Sequence, residues 1–408
     1  MKAKMTIDVS QWKKALTILS PIVNTKMTLP ILSHVILRYD AEHDLFTLTC
    51  SDSETWITID CTDKDGKPWI RMMQEDVADK GDKFKEVAIE LAPLKEAVSL
   101  LLSAQLLEVH FNGNAMKVNY GIGEFEMACS PADTFPNPVP VATGKQKGAL
   151  CRFTLPAEQI LPLMSAAIES SADDELRMVM NGVCLDVYND KVIVVGTNGH
   201  ELFKDIIDTG VGSGWLQYGT FPAAGSAKLL ISKKARKALA TAVSDGPLTI
   251  TADDQRCEFE AAGVRIVARM IEGNFPNYES VIPKDSQYRV TVCRDSLRMA
   301  LRRLRMFAEE SVQLAQIHRE GNEFVIRSSA SDQGRSGLER IPIIEGDTFL
   351  PDDFSIGFKI SIAISILDRI QSENVVLILS APDKPVLYKQ DDVNSSRLLL
   401  QMPMRIEH

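Results

Sequence analysis

Val290–Glu310 reads VTVCRDSLRMALRRLRMFAEE. A short apolar strand runs into a segment where Leu297, Leu301 and Leu304, with Met299, Met306 and Phe307, recur at helical spacing, so one side asks for a core. Asp295 stands where an N-cap carboxylate would satisfy free backbone N–H groups. Arg294, Arg298, Arg302, Arg303 and Arg305 load the remaining faces with fixed positive charge. A solvated helix face would look like this, and so would a surface that meets phosphate. The rest of the chain decides between them.

The same strand-then-helix unit is written three times. Met5–Val9 leads into SQWKKALTILSPIV, with Ser10 placed as a cap, and Phe153–Ile168 (FTLPAEQILPLMSAAI) has the same shape. A second strand-then-helix follows inside each unit: VAIELAPLKEAVSLLL from Val87, LLISKKARKALATAV from Leu229 and IGFKISIAISILDRI from Ile356. Phe135-Pro136-Asn137 returns as Phe275-Pro276-Asn277, each near the end of its unit. A repeat this long means three similar domains in series, not a solenoid. The runs between the helices, such as DLFTLTCSD, KVIVVGTNG and EFVIRSS, alternate as half-buried antiparallel strands do. Each unit is thus roughly two helices with six to eight strands, an α+β domain with its helices on one face of the sheets. Linkers fall at Val141–Ala149 and Ile282–Gln287, and Asp63–Phe84 and Gly210–Ala227 read as inserted surface excursions.

The 408 residues allow two to four domains and an ample core. A hydrophobic share of 45% and a charged share of 25% are those of an ordinary globular protein, and no apolar run approaches a membrane span, so the expected setting is intracellular. Cys50, Cys61, Cys129, Cys151, Cys184, Cys257 and Cys293 are scattered without paired spacing and read as buried free thiols. A net charge of −10 argues against coating DNA by bulk attraction, so any contact with nucleic acid must come from a segregated basic face.

Three units give six helices. If they lined a closed ring side by side at ~10 Å each, six would enclose a hole of only ~9 Å, whereas twelve would leave a bore near 28 Å. Duplex DNA, roughly 20 Å across, passes the second and not the first. Two copies head to tail would thread a duplex; one copy would not.

Four stretches in the same order, TLPILSHVIL (Thr28–Leu37), TNGHEL (Thr197–Leu202), IEGNFPNYESVIPK (Ile271–Lys284) and LLLQMPMRI (Leu398–Ile406), resemble the bacterial DNA polymerase III beta subunit, the sliding clamp. The similarity spans nearly the whole chain. It implies an α+β fold of three tandem copies of a two-helix, antiparallel-sheet clamp domain, with bounds 1–145, 150–283 and 287–408. These would close as a head-to-tail dimeric ring with helices lining the bore. The implied function is that of a cytoplasmic processivity factor, a non-catalytic subunit of the polymerase holoenzyme. It would encircle duplex DNA without sequence specificity and would use no cofactor and no metal. The implied partners are double-stranded DNA, the DNA polymerase catalytic subunit, the clamp-loader complex, repair polymerases and mismatch-repair or ligase proteins carrying short linear motifs, and a second copy of the chain, with no membrane.

Carried over residue by residue, the resemblance places a peptide-binding groove between the second and third domains. Met180, Thr197, Gly199, His200, Leu202, Pro276 and Val281 would form one part, and Leu400, Met402, Pro403, Met404 and Arg405 the other. The chemistry suits the role, since methionine and leucine make a deformable apolar slot for a short motif with a few apolar anchors. His200 has no second ligand or base spaced to join it and is expected to line the groove or to serve structure. Three departures from the family pattern, Asn198, Glu201 and Ser280, imply a less positive groove. Lys13, Lys14, Lys26, Lys95, Lys233, Lys234, Arg236, Lys237, Arg298, Arg302, Arg305 and Lys359 are candidates for the bore, with Lys26 matching a family DNA-contacting arginine in charge. Asp173 and Asp174 fall where the family helps to hold DNA, which puts contact there in doubt. For the dimer, Phe125 and Met127 would meet Met306 and Phe307, with Glu124 and Glu126 facing Arg335 and Arg340.

Enzymatic alternatives are thin. GxxxxGK[ST] is absent, and no paired carboxylates, Ser-His-Asp or Cys-His set has convincing context. The acidic clusters Asp173-Asp174-Glu175 and Asp391-Asp392 read as solvated loops rather than metal sites. The runner-up is an intracellular peptide-binding scaffold with no DNA role, ahead of a metal-dependent nuclease.

Overall fold

The computed structural model describes residues 2–23, 29–75, 85–144, 146–209, 226–284, 288–330, 334–346, 350–351 and 354–406. Lys26 and nearly all of the expected insertion Gly210–Ala227 lie outside the described residues. Six α-helices are present among those residues: Val9–Leu19 (α1), Leu91–Ser99 (α2), Ala157–Glu169 (α3), Lys233–Ala242 (α4), Arg294–Leu304 (α5) and Ile360–Asp368 (α6). Each follows a strand without a break, as the repeated strand-then-helix pattern predicts. α1 buries Val9, Trp12, Ala15, Leu16 and Leu19, and α5 buries Leu297, Ala300, Leu301 and Leu304, in both cases a single stripe at helical spacing.

Two caps differ from expectation. α1 starts one residue before Ser10, and Asp8 is its cap, accepting from the Gln11 N–H at 2.9 Å. α5 starts at Arg294, so Cys293 holds the cap position and Asp295 lies inside the first turn, where its charge favours the helix dipole without capping a backbone group. Cys293 is accordingly half-buried rather than buried like the other six thiols. Hydrogen bonding with Ser296 lowers its thiol pKa from the ordinary value. Met299, Met306 and Phe307, expected to share the core stripe, are 44%, 65% and 36% exposed: Met299 lies off the stripe of Leu297, Ala300, Leu301 and Leu304, and the other two follow the end of the α-helix at Leu304 in a single 3-10 turn.

The chain forms two compact units: Met1–Leu161 with Thr209–Ile271, and Pro162–Asp208 with Glu272–His408. In the first, thirteen strands make one antiparallel sheet. Strand Thr55–Asp60 pairs there with Val264–Arg269, so a backbone ladder joins the first repeat to the second. In the second unit the equivalent ladder joins Glu201–Asp208 to the C-terminal strand Leu398–Gln401. Part of the expected insertion Asp63–Phe84 is no excursion: Ile70–Glu75 pairs along Lys2–Asp8 as a sheet strand, and Trp69 and Ile70 are buried, while residues 76–84 lie outside the described residues. A single apolar row against an existing edge is enough to recruit it.

Candidate peptide groove and nucleic-acid face

The candidate groove lies wholly in the second unit and is built around a turn. Strands Lys191–Thr197 and Glu201–Asp208 form a hairpin whose tip is Asn198-Gly199-His200. Gly199 has φ 86°, the left-handed region that glycine enters without cost. Asn198 Oδ1 accepts from the His200 and Glu201 N–H groups, both at 2.9 Å, and Thr197 Oγ1 donates to the Glu201 carbonyl at 2.7 Å. Gly196 lets this hairpin press on helix α3, since a Cβ there would meet the Ala167 carbonyl at 1.9 Å. The turn so fixed leaves Gly199 and His200 exposed and points the Glu201 side chain inward.

The C-terminal segment docks beside it. Leu202 and Leu400 are directly paired across the ladder, and the chain then leaves the sheet, held by Met402 N–H donating to the His200 carbonyl and Met404 N–H to the Gly357 carbonyl, both at 2.8 Å. The FPN stretch supplies the other bank. Phe275 and Tyr278 are buried edge to face, and the Tyr278 hydroxyl donates to Asp186 Oδ2 at 2.7 Å. Burial and this acceptor raise the Tyr278 pKa. The short helix Tyr278–Val281 leaves Val281 44% exposed, opposite Met402 at 36%. Between them opens a depression of about 620 Å³, lined also by Ile282, Pro283, Ala381 and Pro385, with Lys284, Asp383 and Lys384 on it. An apolar floor with a few charges at the edge is what a short peptide with apolar anchors needs.

Not every residue expected in the groove presents a surface. Thr197, Leu202 and Leu400 are buried and form the layer beneath it, because ladder pairing puts their side chains on the core face. Met180, Pro276, Pro403 and Met404 are half-buried, and Arg405 is exposed. Met180 ends the short helix Glu175–Met180, which reaches the turn through Arg177 Nη1 donating to the Asn198 carbonyl at 2.8 Å. That helix also carries Leu176 and Met178, 92% and 64% exposed, which the sequence reading passed over although ELRMVM is an apolar run in a polar context. Pro385 and Lys384 were missed because nothing local marks them, and Ile282 because it read as the start of the linker Ile282–Gln287.

Glu201 itself puts no negative charge on the groove surface. Its carboxylate is buried and meets Arg369 Nη2 at 2.6 Å, with Asn198 Nδ2 and Ser170 Oγ each at 3.3 Å. The pair is neutral and faces the interior, so it leaves the groove surface without the acid.

Two family models match the chain: the DNA polymerase III beta subunit central domain over residues 154–277 and its C-terminal domain over residues 279–405. Together they span more than half of it. The chain belongs to the DNA polymerase III beta subunit family. A beta sliding clamp of Pseudomonas aeruginosa is 22% identical over 403 residues, covering 98% of this chain and 99% of that one. The beta sliding clamp of Escherichia coli K12 is 23% identical over 302 residues, 74% of this chain and 76% of that one. Among solved structures, the DNA polymerase sliding clamp of Bacillus subtilis superposes with a TM-score of 0.83 at 18% identity, each chain fully covered. The sliding clamp of Bartonella birtlesii bound to griselimycin does so with a TM-score of 0.83 at 21% identity, again over 100% of both chains. The fold is therefore the α+β architecture of the beta subunit, as the repeats and the resemblance led us to expect.

For this family member the basic side chains differ in exposure, and several are held by partners within the chain. Lys13 Nζ donates to the Leu101 carbonyl at 2.6 Å and Lys95 Nζ to Ser20 Oγ at 2.8 Å. Lys234 is paired with Asp52. On α5, Arg298 and Arg302 share Asp368 at 2.8 and 3.6 Å, and Arg303 grips Glu339 with two bonds of 2.7 Å. The excess charge read from the isolated helix is thus partly offset by acids from elsewhere in the second unit. Lys14, Lys237 and Arg305 are exposed, whereas Lys233 and Lys359 are half-buried. Among the described residues, no three His, Cys, Asp or Glu side chains converge as metal ligands would, and no helix is long and apolar enough to cross a membrane.

Among the described residues, two strands leave most of one side unpaired. Strand Glu124–Ser130 pairs with Ala115–Asn119 on one side but with Glu86–Glu90 only at Cys129 and Ser130. Strand Arg335–Gly346 pairs with Glu323–Ala330 through residues 335–342 and with Tyr288–Cys293 only beyond them. Phe125 and Met127 are half-buried on the first edge. Glu124 is held by Lys117 at 2.7 Å, and Arg340 by Glu320 at 2.7 Å, so these charges already have partners within the chain.

Proposed function

We propose that the protein is a DNA sliding clamp, a non-catalytic processivity factor that encircles duplex DNA as a head-to-tail dimer of three-domain chains. The observation that carries the reading is a missing third ladder. In each unit a strand that follows the repeat's turn, Thr55–Asp60 or Glu201–Asp208, pairs with the last strand of the next repeat, Val264–Arg269 or Leu398–Gln401. The same two positions in the remaining combination are the open edges, Arg335–Gly346 of the third repeat and Glu124–Ser130 of the first. Two copies joined edge to edge satisfy both. Phe125 and Met127 then meet Met306 and Phe307 of the other copy, and apolar contact carries most of the association because exposed ion pairs are worth only ~0.2–1 kcal/mol.

In this reading the helices carrying Lys13, Lys14, Lys95, Lys233, Lys237, Arg298, Arg302, Arg305 and Lys359 line the bore. Contacts to phosphate alone carry no sequence information and weaken with salt, which suits a ring that must slide. The internal acids that offset Arg298, Arg302 and Arg303 work in the same direction, by weakening the grip. The groove around Val281 and Met402 takes short linear motifs of the replicative polymerase, the clamp loader and repair proteins, in the cytoplasm. Relatives of this fold are solved bound to griselimycin, which makes that compound a probe for the groove. The test is retention on DNA: the loaded protein should stay on nicked circular DNA at high salt and leave after linearisation. Equal retention on both forms would remove the topological account.

A further inference from the structure

Arg369 follows the last residue of α6 and is buried, with its side chain only 5% exposed. Its guanidinium is fully used. Nε donates to the Ser365 carbonyl at 3.0 Å, Nη1 donates to the Ala166 carbonyl at 3.3 Å and to Ser170 Oγ, and Nη2 meets the Glu201 carboxylate at 2.6 Å. One side chain thereby ties α6, the end of α3 and the first residue of the strand leaving the groove turn. Glu201 in turn holds Asn198 Nδ2 at 3.3 Å, and Asn198 Oδ1 is the acceptor that sets the backbone of His200 and Glu201. The His200 carbonyl is the anchor for Met402. A continuous chain of hydrogen bonds therefore runs from Arg369 through Glu201 and Asn198 to the two groove residues His200 and Met402.

We infer, on the groove reading proposed above, that Arg369 and Glu201 are positioning residues for peptide capture: they touch no ligand and fix the turn on which His200 and Met402 are presented. A buried ion pair is a costly way to gain stability, since apolar residues of the same volume usually serve as well or better. What an ion pair adds is direction: with Nε and Nη1 held by the Ser365 and Ala166 carbonyls, the rigid guanidinium of Arg369 presents Nη2 to Glu201 at one place, and so fixes the turn. Stability and positioning can therefore be separated.

The experiment is griselimycin binding to the full-length protein, measured by calorimetry beside thermal melting. The double variant Glu201→Leu with Arg369→Met keeps the volume and removes the pair. It should melt at or above the wild type yet bind griselimycin about tenfold more weakly, a difference of ~1.4 kcal/mol. Arg369→Lys keeps the charge but cannot reach α3, α6 and Glu201 together, and should lose affinity by roughly threefold, within the range of coupling between residues in one network. Wild-type affinity in a folded double variant, or in Arg369→Lys should the double variant not fold, would overturn the inference. Failure of the wild type itself to bind griselimycin would instead overturn the groove.

Discussion

The two internal ladders of this protein are close copies with opposite outcomes. In the first unit the turn Ser51-Asp52-Ser53-Glu54-Thr55 repeats the hydrogen bonds of Thr197-Asn198-Gly199-His200-Glu201 in the second. Asp52 Oδ1 accepts from Glu54 and Thr55, as Asn198 Oδ1 does from His200 and Glu201. Arg269 N–H donates to the Glu54 carbonyl at 2.8 Å, as Met402 N–H does to that of His200 at 2.8 Å. Even the left-handed residue is in the same place, Ser53 at φ 78° and Gly199 at φ 86°. The side chains around these frames differ. Beside the first turn, Trp56 is buried with Phe135, Val141 and Val267, and its indole N–H donates to the Pro136 carbonyl at 2.8 Å. Beside the second, the aromatic position is Leu202, and Val281 and Met402 stand open. One backbone plan gives a sealed joint or an open depression according to whether a large aromatic side chain fills it.

The largest expected effects test the sealed joint and the buried pair. Trp56→Ala should cost about 3–5 kcal/mol in urea unfolding, because it leaves a cavity in a packed cluster and strands the Pro136 carbonyl. Glu201→Gln removes the buried carboxylate of Arg369 and leaves it only the exposed Glu169, 3.7 Å from Nε, so it should cost about 1.5–3 kcal/mol by the same measurement. A loss below ~1 kcal/mol for Trp56→Ala would mean that the first joint is not sealed by packing, and the contrast with the second would fail.

Truncation on the open side should show the reverse signature. Val281→Ala and Met402→Ala remove surface-facing carbon, so each should change stability by less than ~0.5 kcal/mol. Each should weaken griselimycin binding by ~1–2 kcal/mol, the scale of an anchor contact in an apolar slot. Unchanged affinity in both would move the binding site away from this depression. The open edges should behave as a third joint of intermediate strength. Sedimentation of Glu124→Lys should show a dimer weakened by only ~0.2–1 kcal/mol, since the charge is exposed and already held by Lys117, whereas Met306→Asp should dissociate it outright.

How far these features could be read in advance follows from their range along the chain. The three repeats were legible because strand and helix periodicity is local, and the LLLQMPMRI stretch was legible through its resemblance to the family. Asp8 was passed over for Ser10 because the helix takes in Val9, an apolar residue whose burial decides the start. The strand Ile70–Glu75 was hidden in a charged stretch, and only its pairing with Lys2–Asp8 reveals it. Glu201 and Arg369 are 168 residues apart, so no spacing rule could join them. Glu201 read as a surface charge for want of a visible partner.

The smallest effect sharpens the comparison at the third joint. Arg303 and Glu339 link α5 to the open edge strand by two bonds of 2.7 Å, and that contact holds the Glu339 carboxyl below its ordinary pKa. A carboxylate whose folded pKa is depressed adds stability above its unfolded pKa, near 4.5, and loses it as pH falls through the folded value. Arg303 is exposed, so solvent screening keeps the contribution small. Arg303→Ala should therefore lower the unfolding free energy slightly at pH 7, and the gap from the wild type should close as the pH is taken below 4.5. Adding salt at pH 7 should narrow it as well. A difference that persisted unchanged at low pH would assign the effect to the packing of the arginine stem against the edge strand. That joint would then be apolar on both of its faces, closer in kind to the sealed seam than to the open one.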